Sequence, residues 1–150
     1  MSNYESWLER HSELAKKALE LIQKYGFRAV LIVEEGKPTF VRAYIGKKSL
    51  DFILKDLKSG FIKSVWLCKR EDFNQKANYL VFLAKEERWV IATGSTVHIH
   101  AEIKDSDYHK GIKYIVVPLE VFRPAIQYLK MIKSAYNESR QKRMSDWIGN

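Results

Sequence analysis

One cysteine, Cys68, is all that 150 residues supply. That excludes an internal disulfide and any thiolate zinc cluster, and a reducing, cytoplasmic setting is the simplest expectation. No run of about 18 consecutive apolar residues occurs, so no membrane-spanning helix and no membrane partner are expected. The first residues, MSNYESWLERHSELAKK, are polar and charged rather than a basic stub ahead of an apolar run, and the chain reads as soluble and unprocessed. There is no Walker loop, no dinucleotide-binding glycine pattern and no nucleophile elbow. No internal repeat or low-complexity tract appears. Acids are also in short supply: 18 Asp and Glu stand against 26 Lys and Arg, a formal net charge of +8. This balance favours a polyanionic partner, nucleic acid and DNA first, through counterion release; a generally basic, soluble surface is the alternative.

What is present suits one domain spanning 1–150, since 46% apolar and 13% aromatic residues can fill a single core. Ser2 and Glu5 have capping-box spacing, and Trp7, Leu14, Ala18, Leu21 and Tyr25 recur on one helical face until Gly26. FRAVLIVEEGKPTFVRAYIG predicts a hairpin turning at Glu35-Gly36-Lys37-Pro38, with Phe40, Arg42 and Tyr44 on one face and Val41, Ala43 and Ile45 on the other. SLDFILKDLKSG fits either a short helix or a strand, and helix is preferred. FIKSVWLCKR predicts a strand with Val65, Leu67 and Lys69 on one face, Glu71 just beyond, and Trp66, Cys68 and Arg70 on the other. NYLVFLAK is apolar throughout, as a central strand covered on both faces would be, and RWVIATG should pair with it. TVHIHAEI and KYIVV complete the strands, and a long helix follows Pro118, its regular part beginning near Pro124. The expected class is α/β or α+β: a single mixed sheet of about six or seven strands between an N-terminal amphipathic helix and a long C-terminal helix.

Three constellations carry chemistry. Metal-dependent phosphodiester cleavage needs carboxylates converging on Mg²⁺ and a cation at the phosphate. An acid-x-Lys pair on a strand supplies both, because residues i and i+2 point the same way. An N-terminal helix, Asp51, a strand ending Leu67-Cys68-Lys69 and the apolar strand NYLVFLAK, together about residues 4 to 94, resemble the core of the PD-(D/E)XK nuclease superfamily, which includes restriction-endonuclease-like and archaeal Holliday-junction resolvases. The resemblance implies a catalytic site of Asp51 and Lys69 with Mg (or Mn) as cofactor. It departs at Leu67, where the second carboxylate belongs, so Glu71 is expected to share the metal with Asp51, or Glu13 or Glu20 to reach it from the first helix. An inactive descendant that keeps DNA binding and needs no cofactor is the other form of this reading, and a loop acid with a solvated strand-end lysine is the plain one.

The second constellation is His98-x-His100-x-Glu102, three side chains on one face of an expected strand and a weaker alternative metal set, with His109, Asp105 and Asp107 in the next loop. The third is the basic C-terminal helix and tail, about 119–150. Lys130, Lys133, Arg140, Lys142 and Arg143 lead to Trp147, a set able, with Arg70, to track a phosphate backbone and stack a base. The alternative is a solvated helix face with Trp147 docked on the domain or a second subunit. Cys68, mid-strand, reads as a buried, inert thiol. A homodimer would suit the two strands of a duplex. A non-enzymatic structural or protein-interaction module is the rival from another class.

Overall fold

A computed structural model describes residues 3–34, 39–60 and 62–148, with side chains described between residues 13 and 140. The elements in order are α1 (Asn3–Lys24), β1 (Arg28–Ile32), β2 (Phe40–Ile45), β3 (Lys48–Leu57), β4 (Ser64–Lys69), β5 (Asn78–Leu83), β6 (Arg88–Thr93), α2 (Gly94–His100), β7 (Glu102–Asp105), β8 (Lys113–Pro118), β9 (Arg123–Pro124) and α3 (Ala125–Ile148). Short 3-10 turns lie at Arg70–Asp72, Ala84–Glu86 and Leu119–Val121.

Two sheets form where one was expected. A six-stranded sheet runs β1-β2-β3-β5-β6-β9, and a three-stranded sheet runs β4-β8-β7. Every pairing is antiparallel except β3 with β5. The crossover between those parallel strands leaves the large sheet and contributes β4 to the small one, which is why a strand intervenes between two spatial neighbours.

The central strands of the larger sheet are buried on both faces. On one face Ala18 and Ile22 of α1 and Ala125 and Leu129 of α3 pack with Phe27, Val41, Ala43, Phe52, Leu80 and Ile91. On the other, Tyr79, Val81, Val90 and Ala92 meet Val65 and Leu67 of β4, Val97 of α2, and Ile115 and Val117 of β8. The layers are helices, large sheet, small sheet. Five of the six residues of β5 are buried, which accounts for the unbroken apolar run that marked it as central.

Local chemistry sets the joints. Gly26, at φ +91, ends α1 in the left-handed conformation that costs a Cβ-free residue least. At Gly94 an added Cβ would lie 2.3 Å from Gln75 O and 2.6 Å from Ala77 O, so only glycine lets α2 start against the chain entering β5.

Several expectations are corrected. SLDFILKDLKSG is not helical: it forms β3, because Phe52 and Leu54 pack toward the helices while Ile53 and Leu57 pack toward the small sheet. Burial on both faces removed the period that would have marked a strand. TVHIHAEI splits into α2 and β7, since Thr93 Oγ1 accepts from the Thr96 amide at 3.2 Å and caps a helix that buries Val97. Pro118 does not begin the last helix but ends β8; α3 starts at Ala125, directly after Pro124, as expected of its regular part, although Pro124 itself lies in β9 opposite Val90. The hairpin formed as expected by β1 and β2 keeps Val41, Ala43 and Ile45 inward. Its turn at 35–38 and the Ser2 cap lie outside the described residues. No helix of the described residues is long and apolar enough to cross a membrane.

Candidate functional site

A cavity of about 750 Å³ opens where the two sheets part. Among the described residues the β2–β3 ladder ends at Phe40 opposite Ile53, with one further bond from the Leu54 amide to Thr39 O at 3.5 Å; the far end of β3 runs on past this ladder, and β4 is an edge strand of the small sheet. The cleft between these strands is lined by Lys55 and Lys58 from the end of β3 and just beyond, Trp66 and Lys69 from β4, and the carboxylates Asp56 and Asp72. Tyr79 and Cys68 also line it.

Burial sets the electrostatics here. Desolvation holds the Lys55 ammonium below the usual lysine range, and the neighbouring Cys68 and Asp56 groups only partly offset it. Burial pushes the Cys68 thiol up to about 11, so at neutral pH it is the inert thiol expected from its place mid-strand. Tyr79 is raised as well, again by burial; its hydroxyl accepts from the Asn74 amide at 2.8 Å. Asp56 Oδ1 is buried without a hydrogen-bond partner.

A register shift reorganises β4. Trp66 faces Val116, but a bulge follows, Cys68 faces Ile115 and Lys69 faces Tyr114. Leu67 and Cys68 both join the core, and Lys69 turns onto the face of Trp66 rather than of Leu67. Simple alternation, which had set Lys69 with Val65 and Leu67, fails at that one residue.

Of the residues expected to form a site, Lys69, Arg70 and Glu71 line one small pocket together, and Asp51 is not among its lining residues. Asp51 lies on β3 opposite Arg42 of β2, and Arg42 Nε and Nη2 donate to its two carboxylate oxygens at 2.8 and 3.1 Å. That bond, more than charge alone, raises the Arg42 guanidinium above its usual value. Lys69 belongs to the other sheet, and exposed Glu71 and Arg70 lie in the turn after it. Glu13 and Glu20 are exposed on α1. His98 and His100 are exposed and sit two apart on a helix, about 200° around its axis, so they do not share a face. His98 stacks against Phe73 at 6.4 Å. Among the described residues no three His, Cys, Asp or Glu side chains gather closely enough to hold a metal ion.

On α3, Lys133 Nζ donates to Gly26 O at 3.0 Å and sits 5.6 Å from the Phe27 ring centroid, while Lys130 lies 6.0 Å from that of Tyr25. Both lysines tie the helix to the end of α1. Arg140 is exposed; the side chains of Lys142, Arg143 and Trp147 lie outside the described set.

Sequence reading passed over Lys55. The x-x-Lys spacing sought at Leu67-Cys68-Lys69 recurs at Ile53-Leu54-Lys55, on a strand of the large sheet. Ile53, Lys55 and Leu57 alternating with Leu54 and Asp56 was the available signal, hidden by the helical reading. At both places the residue two before the lysine is apolar.

No protein-family model and no curated protein matches the sequence. Solved structures do match in shape. Hjc, a Holliday junction resolvase from the archaeal hyperthermophile Archaeoglobus fulgidus, superposes with a TM-score of 0.53 at 15% identity over 79% of this chain and 93% of its own. A nuclease from a fusselovirus superposes with a TM-score of 0.52 at 10% identity over 88% of this chain and 94% of its own. The chain has the restriction-endonuclease-like fold. Within that fold the divalent cation implied by the sequence resemblance meets a poor set of donors. Such a cation needs one or two free carboxylates, with water and phosphate completing its shell, whereas Asp51 is held by Arg42 and the cleft carboxylates Asp56 and Asp72 stand beside three lysines that compete for them.

Proposed function

We propose that this protein binds nucleic acid through a nuclease-like fold, gripping a phosphate backbone in the cleft between its two sheets without metal-dependent cutting. One observation carries the reading: Lys55 and Lys69, from different sheets, line the same cleft, and each follows an apolar residue where a metal carboxylate would be needed. The net charge of +8 supplies the long-range attraction. Lys55 contributes through its burial, because a phosphate oxygen brought against a desolvated ammonium restores the solvation it lost. Lys69 and Lys58 meet the backbone from the cleft walls, and Arg70 extends the contact past β4. The likeness to a Holliday junction resolvase favours DNA, branched DNA first, and a homodimer would offer two such clefts to its arms.

The cutting alternative keeps Asp51 and Glu71 as ligands to Mg²⁺ or Mn²⁺ and Lys69 at the phosphate; it requires Asp51 to leave Arg42. Labelled single-stranded, duplex and branched DNA, incubated with and without either cation, distinguishes the two when gel shift and product size are read on the same samples. The expected result is a shift that weakens on the order of a thousandfold as salt rises from low to physiological, with the DNA intact. Metal-dependent products that disappear in Lys69→Ala would overturn the non-cutting reading. A shift indifferent to salt would overturn the phosphate grip in favour of a protein-interaction module.

A further inference from the structure

Resting on the nucleic-acid reading, we infer that the outer face of the three-stranded sheet is a stacking platform for an unpaired base, so that the protein selects single-stranded nucleic acid over duplex. The β4 bulge makes the platform. Because it absorbs one residue, Trp66 and Lys69 emerge on the same outer face, and Tyr114 between the neighbouring strands has Lys69 as register partner on one side and Lys104 on the other. An aromatic pair is thereby flanked by lysines from both edge strands.

Trp66 is 37% exposed although its register partner Val116 is only 2% exposed. The Trp66 and Tyr114 rings meet at 5.8 Å and 57°, a tilted contact rather than a stack. A tilted neighbour supports the indole, and among the described residues no parallel ring stacks on its flat surface. Lys104 is held only loosely, 3.7 Å from Glu102, so it can exchange that exposed partner for a phosphate at little cost.

Trp66 and Lys69 also belong to the cleft that holds Lys55. A strand leaving the cleft across β4, an edge strand of the small sheet, therefore meets the indole next, with a cation beside it for its phosphate. Stacking on an aromatic plane needs no particular base, since every base has a π-face, but it does need a base whose own face is free. In duplex both faces are taken by neighbours. Charge and aromatic surface together thus specify a single strand, or an unpaired nucleotide within a junction, as the occupant.

The test is fluorescence anisotropy of the full chain with a labelled oligothymidylate and a labelled duplex of equal length at low salt, for wild type, Trp66→Ala and Trp66→Phe. Wild type should prefer the oligothymidylate; Trp66→Ala should weaken that binding about tenfold or more and leave duplex binding within about twofold. Trp66→Phe, which keeps a ring, should retain the preference and shows that the alanine result is not a folding defect. Equal losses for both probes, or no loss for either, would overturn the platform while leaving the phosphate grip standing. Binding of neither probe by wild type would overturn the grip itself, and the platform with it.

Discussion

The two faces of the large sheet treat charge in opposite ways. On the helical side, lysines serve the fold: Lys133 bonds to Gly26 O and covers Phe27, Lys130 leans on Tyr25, and Lys17 lies 5.2 Å from the Phe82 ring centroid. On the side toward the small sheet, Lys55 and Lys69 line an open cleft. The basic helix that looks most like a nucleic-acid surface in the sequence thus has two of its lysines tied to the domain, and the cationic residues facing open volume come from strand ends. A count of basic residues cannot tell these apart, because attachment depends on what another element brings opposite.

The largest effect that tests this contrast is on the core beneath the helices. Phe52→Ala, which empties a fully buried position, should cost about 3–5 kcal/mol in urea unfolding. Trp66→Ala on the small sheet should cost less than half of that, because its ring is partly in water already. Comparable losses would mean that the small sheet is as tightly packed as the helical face.

Next in size is the double variant Lys55→Ala with Lys69→Ala. It should lower DNA affinity about tenfold or more and reduce the magnitude of the log affinity against log salt slope by about 2, one unit for each lost phosphate contact. Lys130→Ala with Lys133→Ala should leave that slope within about 0.5 of wild type. A reversal, with the helix pair carrying the slope, would move the interface to α3.

Lys133→Ala alone should instead register in stability, by about 0.5–1.5 kcal/mol for one hydrogen bond and one cation–π contact, measured by thermal melting.

Smallest is a pH effect at Lys55. Its folded pKa lies below the unfolded value of 10.5, so the unfolded chain binds more protons between the two and stability rises with pH across that window. The penalty is fully present below the folded pKa and is gone above the unfolded one. Lys55→Met should therefore be more stable than wild type at neutral pH, with the difference narrowing as pH climbs toward 10.5. A gap that stayed constant would place the effect in packing rather than in charge.

Much of the architecture was legible in the residues. The stripe from Leu14 to Tyr25, the alternation of Val41, Ala43 and Ile45, and the apolar run of β5 each reflect a face whose burial is decided locally. Legibility failed where burial came from two sides or where one residue altered the register. β3 reads as a helix because Leu54 and Ile53 are apolar toward different layers. α2 was missed because a Thr93 cap over a short segment outweighs an alternating pattern. Lys69 was assigned to the wrong face because a bulge is not encoded by any single residue type in SVWLCK.

The sequence by itself determined the class of domain, its two terminal helices, its central strand and its excess of positive charge, since propensity, periodicity and composition act over a few residues or over the whole chain. Only the tertiary structure decided that there are two sheets, that Asp51 is held by Arg42, that the histidines diverge and that Lys55 and Lys69 share a cleft. Those outcomes depend on pairing between residues far apart in the chain, and pairing is fixed by how whole faces fit together once water has been excluded between them.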